Sequence, residues 1–470
     1  MVAFSPNHLQ EWSKGEWNIE PSNSLCGFSI DSRKIQSGDV FVAIRSARDG
    51  HQYLEAAMEG GATAALVEEV NSSIRLPQLK VKKTPKAFLE IARGHRRQFN
   101  KPVVGITGSC GKTSTKEALA TLLSGGLSTD GNLNNHLGVP LTLLRLELDQ
   151  HIAAIIEVGI NHTGEMTRLA QTIEPNLVLI TMIGHSHLEG LGGIEGVAEE
   201  KSKLWQDTDA RAIFPESCLN FEPFCRLVAQ GKPYLALKKG YPPSGKSGRK
   251  TAYYESWTET NKPEGSGMLH VWHPESSEFS CPLPPMSDGM ISNMALCVLA
   301  ALELGLSKKE ISVRLPQYKP PALRGARLQG RGREYFVDCY NSNPSSFADS
   351  VHFFSLQSGD LPKLYILGGM EELGQQEVSL HRHAANHIEV KDNDRVVLVG
   401  EKASWMADAI LKKGARSNQV IVLKNTEDCR SLIEDFEGNV LLKGSRRYRL
   451  EDMVPSWAVA KEEVDLPALC

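Results

Sequence analysis

The sequence predicts an α/β protein of three domains: a small α/β unit, a central P-loop-type parallel-sheet unit and a C-terminal Rossmann-like α/β unit. Three observations carry that prediction. The chain has 470 residues, which at roughly 150 residues per domain implies about three domains with room for real cores. Apolar runs of strand length alternate with helical patterns from Val103 onward, the signature of a largely parallel sheet. A glycine-rich turn ending in Gly111-Lys112-Thr113-Ser114 joins one such strand to a helix, the context of a phosphate-binding loop.

Composition narrows the class. Hydrophobic residues make up 41% and charged residues 23%, globular values that exclude collagen-like, disordered and disulfide-scaffold chains. With 52 Lys+Arg against 56 Asp+Glu and a net charge of −4, there is no long-range field to gather nucleic acid or an acidic membrane, and neither is expected as a partner. No apolar stretch reaches the ~18 residues of a membrane span, and the N-terminus lacks the basic and apolar regions of a signal peptide. Nine cysteines, an odd number without a CxxC pair, read as small buried hydrophobes in a reducing compartment. A cytoplasmic enzyme without membrane insertion is therefore expected.

The elements follow in order. Turn signals at Asp31-Ser32-Arg33 and Ser37-Gly38-Asp39 bracket a strand over Val40–Ile44. A helical pattern runs from Gln52 to Met58, closed by Gly60-Gly61, and Ala62–Val67 is a further apolar run. A polar segment near Arg97–Pro102 sets the first boundary, giving a domain over 1–99. From Val103 the order is strand, glycine-rich turn, then helix Thr115–Leu123. Strands follow at Ile152–Val158 and Leu177–Ile183 around a helix at Glu165–Gln171. Lys239–Gly267, rich in Gly, Pro, Ser and Lys, reads as a surface excursion before an apolar helix, Asn293–Leu304. Lys319-Pro320-Pro321 sets the second boundary, so the domains span 100–319 and 320–470. Strand candidates recur at Tyr335–Cys339, Leu364–Leu367, Val396–Val399, Val420–Leu423 and Val440–Leu442. No GxGxxG accompanies them, so dinucleotide binding has no support there.

The phosphate loop is GITGSCGKTS, Gly105 to Ser114, with glycines at 105, 108 and 111. Glycines let successive backbone N–H groups curl around phosphate oxygens, and the following helix N-terminus adds favourable partial charge. Residues Gly105, Thr107, Gly108, Ser109, Cys110, Gly111, Lys112, Thr113 and Ser114 are thus the nucleotide-binding candidates. Lys112 would reach the β- and γ-phosphates and the Thr113 hydroxyl would ligate Mg²⁺. Glu157 ends the strand Ile152–Val158, and His187 follows the next strand. Ligands bind beyond the carboxyl ends of such strands, which makes both metal-site candidates. His162 and His185 are weaker ones. Lys201 shares an apolar helical stripe with Ile194, Val197, Ala198, Leu204 and Trp205, whereas Glu199, Glu200 and Lys203 fall elsewhere and are expected in solvent. A lysine on a buried face must find a partner, lose its proton or be chemically modified.

These residues resemble the Mur ligases of peptidoglycan synthesis, with the folylpolyglutamate synthases as more distant relatives, and the likeness covers nearly the whole chain. The loop GITGSCGKTS, Gly131-Asn132-Leu133-Asn134-Asn135 through Thr142, Glu157-Val158-Gly159 and His187-Leu188-Glu189-Gly190 are similar to family segments. So are Asp338-Cys339-Tyr340-Asn341-Ser342-Asn343-Pro344, Glu372-Leu373-Gly374 with His381, and Lys443-Gly444-Ser445-Arg446. Near the N-terminus, Asp31-Ser32-Arg33 and Asp49-Gly50-His51 are similar to a UDP-sugar-binding domain. Three positions depart from the family pattern: Gly289 replaces a histidine, Met182 an asparagine and Gly369 an aspartate.

The resemblance implies an ATP-dependent ligase acting through an acyl phosphate, most like the member that joins D-alanyl-D-alanine to a UDP-MurNAc-tripeptide. It implies ATP and Mg²⁺ as cofactors and a role in building the cell wall; a monomer is expected. Lys112, Lys201 and His187 would be catalytic, with Lys201 carbamylated. Thr113 and Glu157 would hold one Mg²⁺; His187 and Lys201 would hold a second. Asn293, Arg327 and Asp338 would contact ATP. Ser32, Arg33, Asn134, Asn135, Asn341 and Asn343 would contact the other substrates. The alternatives are a sibling ligase adding the third amino acid, a polyglutamate-type synthase, and a P-loop regulatory module. The Tyr-Asn-Ser-Asn-Pro run and the lack of an Asp-Asn-Pro-Arg motif oppose the first. The N-terminal unit opposes the second, and the set Lys112, Glu157, His187 and Lys201 opposes the third.

Overall fold

The computed structural model describes the chain except residues 1, 244–249, 259–266, 276–277, 428 and 461–470. Its strands form three sheets in chain order. The first lies between Glu16 and Lys80 and places Ala64–Val67 and Asp39–Val42 at its middle, all parallel apart from the short edge strand Glu16–Trp17. Helix Thr84–Arg97 then leads to the second sheet.

The second sheet has nine strands, with Val103–Thr107 between Leu177–Ile180 and Ala154–Glu157. All three are buried along their whole length, which is why the sequence shows unbroken apolar runs rather than alternation. The first strand of the unit therefore sits inside the sheet, and its neighbours leave by opposite sides. That arrangement opens a crevice at the carboxyl ends, where α/β proteins bind ligands.

Helix Lys112–Leu122 starts three residues before the expected Thr115, because Gly111 at φ +82° serves as its N-cap. Lys112 and Thr113 are consequently in the first turn, where the amide groups are unpaired. Part of the expected excursion at 239–267 is sheet: Thr251–Thr258 pairs parallel with Tyr234–Lys239 and antiparallel with Gly267–Trp272. The segments 244–249 and 259–266 lie outside the described residues.

Helix Ile194–Gln206 packs against Glu165–Ile173 on one side and Glu222–Ala229 on another. With two neighbours its buried surface is wider than one stripe, and this corrects the reading of Glu200 as solvated: Glu200 is buried and pairs with Lys203.

The third sheet orders Val420–Leu423, Arg395–Val399, Lys363–Gly368, Asn439–Lys443 and Arg333–Asp338, all parallel, before two antiparallel edge strands. Among the described cysteines, Cys218, Cys281, Cys297, Cys339 and Cys429 are buried. No helix among the described residues is long and apolar enough to cross a membrane.

Candidate active site

A cleft of about 2510 Å³ opens between the second and third sheets, lined from the phosphate loop on one side and the turn after Asp338 on the other. The loop is held by its neighbours. Ser109 donates its N–H to the Met182 carbonyl at 2.9 Å, while its hydroxyl bridges Gly184 O and Gly184 N, each at 2.9 Å. Met182 therefore serves the loop through its main chain, and its side-chain identity is free at that contact. Gly108 has φ +152°, and a Cβ there would collide with the Thr181 hydroxyl; Gly111 has the left-handed φ and a Cβ would meet the Asn293 amide. Both positions demand glycine.

Lys112 curls back so that its Nζ donates to Gly108 O at 2.8 Å. Burial pushes its amine below the ordinary lysine range, and the Glu157 carboxylate partly offsets this. Thr113 and Ser114 are buried in the same first turn. Across from them Glu157, 1% exposed, receives a hydrogen bond on Oε1 from Asn134 Nδ2 at 2.7 Å, and its Oε2 is buried with no partner. An unpaired carboxylate oxygen so close to a phosphate loop is costly unless a cation completes it. Among the described residues no group of three or more His, Cys, Asp or Glu side chains gathers at one point. A cation here would thus rest on few protein oxygens and mainly on ligand oxygens, the habit of Mg²⁺. Thr113 with Glu157 fits that role.

Lys201 is fully buried and its Nζ has no hydrogen-bond partner. Desolvation first, then repulsion from Lys112, holds its amine well below the ordinary lysine range. Its amine sits near enough to Lys112 for the two charges to be felt. His187 lines the cleft in a left-handed backbone conformation, φ +52°, and its Nδ1 pairs with the Glu372 carboxylate from the third sheet's side.

The remaining candidates divide. Asn293, Arg327, Asp338, Asn341 and Asn343 all line the cleft together with Asn134 and Asn135. Asp338 is joined there to the buried Lys443 at 2.8 Å and to the Ser350 hydroxyl. Arg327 pairs with Glu334 at 2.6 Å while its Nε is buried and unpartnered. Two asparagines are engaged in structure. Asn135 Oδ1 accepts from Leu137 N and Gly138 N at 3.0 and 2.9 Å, and Asn343 Oδ1 accepts from Ser346 N at 2.9 Å as the cap of helix Pro344–Ser358. The Asn343 amide also reaches Ser109 O at 3.2 Å, tying the third sheet to the phosphate loop.

Gly105, Thr107 and Gly108 stand behind the lining, not in it: a Cβ at Gly105 would meet Leu204 at 3.3 Å, and the Thr107 hydroxyl donates to Val158 O at 2.9 Å. Ser32 and Arg33 lie outside the cleft, in a short turn where Arg33 makes a bidentate pair with Asp31 at 2.9 and 2.8 Å. Sequence reasoning missed Arg324, stacked on Tyr340 at 4.0 Å, and Asp349, which receives hydrogen bonds from the Ser287 hydroxyl at 2.6 Å and Gly289 N at 3.0 Å. No motif marks either. Gly289 is informative in hindsight, since a Cβ there would lie 2.7 Å from the Asp349 carboxylate. The small residue admits the acid.

A phosphate loop facing a second α/β unit across one cleft defines an α/β enzyme that handles a nucleoside phosphate between two domains. Comparison with known proteins supplies the family. The Mur ligase middle domain matches residues 106–301, and the Mur ligase, glutamate ligase domain matches residues 324–446. The chain belongs to the Mur ligase family. It is 29% identical over 469 residues to UDP-N-acetylmuramoyl-tripeptide–D-alanyl-D-alanine ligase of Haemophilus influenzae, covering 95% of this chain and 96% of that protein. Among solved structures it is similar to MurF from Acinetobacter baumannii, with a TM-score of 0.83, 26% identity, and 96% of this chain and 98% of that one covered. It is also similar to MurF ligase from Thermotoga maritima in complex with ADP, with a TM-score of 0.76, 25% identity, and 92% and 96% covered.

Proposed function

We infer that the protein is an ATP-dependent ligase that joins D-alanyl-D-alanine to UDP-MurNAc-tripeptide in peptidoglycan precursor synthesis. Relatives of that activity match along nearly the whole chain. In this reading residues 1–99 bind the UDP-sugar, 100–319 form the ATPase and 320–470 close over it. The reading places the protein in the cytoplasm, where buried thiols such as Cys218, Cys281, Cys297 and Cys339 stay reduced.

The terminal carboxylate of the tripeptide attacks the γ-phosphorus of ATP, so that a C–O–P bond forms as ADP leaves. The dipeptide amine then attacks the acyl carbon, loses a proton, and inorganic phosphate departs. A free carboxylate resists amide formation, so the protein's work is positioning and charge neutralisation. Lys112 leaves Gly108 O and stabilises the transferring phosphoryl oxygens. The amide of Asn134 holds Glu157 so that its free Oε2 faces the phosphates. Mg²⁺, when bound by Thr113 and Glu157, and by His187 with Lys201, would neutralise phosphate and carboxylate charge and align the reacting oxygens. The second pair requires Lys201 to be an anion. The observation that carries this part is its buried, unpartnered, deprotonation-prone amine. Once deprotonated, such an amine forms an N–C bond to CO₂ and releases a proton, giving an anionic carbamate. Docking of the third sheet excludes water from the acyl phosphate.

The test is phosphate release from ATP. Release should require both UDP-MurNAc-tripeptide and D-alanyl-D-alanine; release with ATP alone, or with a free amino acid in place of the dipeptide, would defeat the reading.

A further inference from the structure

Two residues with unusual backbone geometry meet across the cleft. His187, φ +52°, belongs to the second sheet's side, and Glu372, φ +62°, to the loop after strand Lys363–Gly368. Left-handed backbone in residues other than Gly, Asn or Asp costs about 1–2 kcal/mol and persists where the surroundings fix it. Here the surroundings are each other's loops. The Glu372 carboxylate is the ion-pair contact of His187 Nδ1, a buried nitrogen with no hydrogen-bond partner, and the Cα of Glu189 lies 3.5 Å from where a Cβ on Gly374 would stand. Leu188, Leu191, Met370 and Leu373 belong to one apolar cluster beneath them.

A carboxylate on one ring nitrogen decides what the other can do. An acceptor at Nδ1 fixes the proton there and leaves the lone pair on Nε2, the state an imidazole needs to ligate a metal. We propose that Glu372 is the positioning residue for His187: it fixes the Nδ1–H tautomer and ring orientation, and, because it comes from the C-terminal unit, it makes His187 competent for a divalent cation only when that unit is docked. The proposal rests on the reading of His187 as a metal ligand. It explains why the ligase would not assemble its second cation site with the cleft open, when an acyl phosphate would face water.

The test uses the full-length protein and two readouts. In metal-free protein labelled with ¹⁵N-histidine at pH 8.5, with the His187 signals assigned by H187N, the wild type should show protonated Nδ1 and bare Nε2. Glu372→Gln, whose amide oxygen still accepts, should keep that pattern, and Glu372→Ala should shift His187 toward the Nε2–H form. In Mn²⁺ titrations followed by EPR with ADP present, Glu372→Ala should weaken Mn²⁺ about 10–100-fold, and Glu372→Gln should recover most of the loss. An unchanged tautomer in Glu372→Ala overturns the proposal. So does unchanged Mn²⁺ affinity in Glu372→Ala when H187N weakens it. Unchanged affinity in H187N itself removes the ligand assignment and this proposal with it, while substrate-dependent phosphate release would still stand as evidence for the ligase.

Discussion

The central unit meets its two neighbours through seams of opposite construction. On the N-terminal side, helix Thr84–Arg97 ends in a basic turn that grips Glu174. Arg93 and Arg97 reach its carboxylate at 2.8 and 2.6 Å, and the buried Arg96 donates to the carbonyls of Ile173, Glu174 and Phe99 at 2.8, 2.7 and 3.1 Å. Arg96 thus caps the carboxyl end of helix Glu165–Ile173, where positive charge is favourable. Phe88, Ile91 and Ala92 share one apolar cluster with Val139, Leu143 and Ile173. On the C-terminal side the polar links named above are few: Asn343 to Ser109, Asp349 to Ser287 and Gly289, and Glu372 to His187. They ring an open cleft. The first seam is buried and multiply bonded, so it stays. The second joins a few polar links to a smaller apolar contact of Leu188 and Leu191 with Met370 and Leu373 around an open cleft, a lighter seam that suits a unit that must release a product.

The comparison breaks if changes at the two seams have the same kind of effect. The largest effect is expected at Lys112. Lys112→Ala should lower turnover by roughly 10³-fold or more while calorimetry still detects UDP-substrate binding; full activity would sink the mechanism. Lys201→Ala should lose on the order of 10²–10³ in kcat, with partial recovery in added formate or acetate. No recovery under any short carboxylic acid would remove the carbamate role. At the fixed seam the loss should appear in stability instead. Arg96→Ala leaves buried carbonyls without a donor and should cost about 3 kcal/mol, lowering Tm while the folded fraction keeps its kcat. A fall in kcat at unchanged Tm would show that the seam moves in turnover.

Asp349→Ala sharpens the other side. It removes two hydrogen bonds across the cleft, about 2 kcal/mol together. The open form should gain population, seen by small-angle scattering as a larger radius of gyration without nucleotide, with Tm little changed. An unchanged scattering profile would mean that these bonds do not set the docked state.

How much of this the sequence discloses depends on how local the signal is. The strand–loop–helix at Val103–Leu122 and the carboxylate at Glu157 are legible because burial and loop chemistry act within a few residues. Lys201 is legible as an anomaly on one helical stripe, whereas Glu200 is not, because its burial and its pairing with Lys203 fall off that stripe. Strand Thr251–Thr258 hides between flanks rich in Gly, Ser and Lys, and its pairing partner supplies what its composition does not. Asn135 and Asn343 look like ligand contacts in a motif, yet their carbonyl oxygens accept from main-chain amides at the starts of helices. Asp349 is invisible because its partners are about 60 residues away in another unit, and no periodicity encodes a contact across a cleft.

The central claim is that the tripeptide carboxylate is phosphorylated on this protein. Supplying UDP-MurNAc-tripeptide with oxygen-18 in its terminal carboxylate, plus ATP and D-alanyl-D-alanine, and weighing the phosphate released tests it most directly. The account predicts one labelled oxygen carried into each phosphate. Unlabelled phosphate formed alongside the ligated product would contradict it.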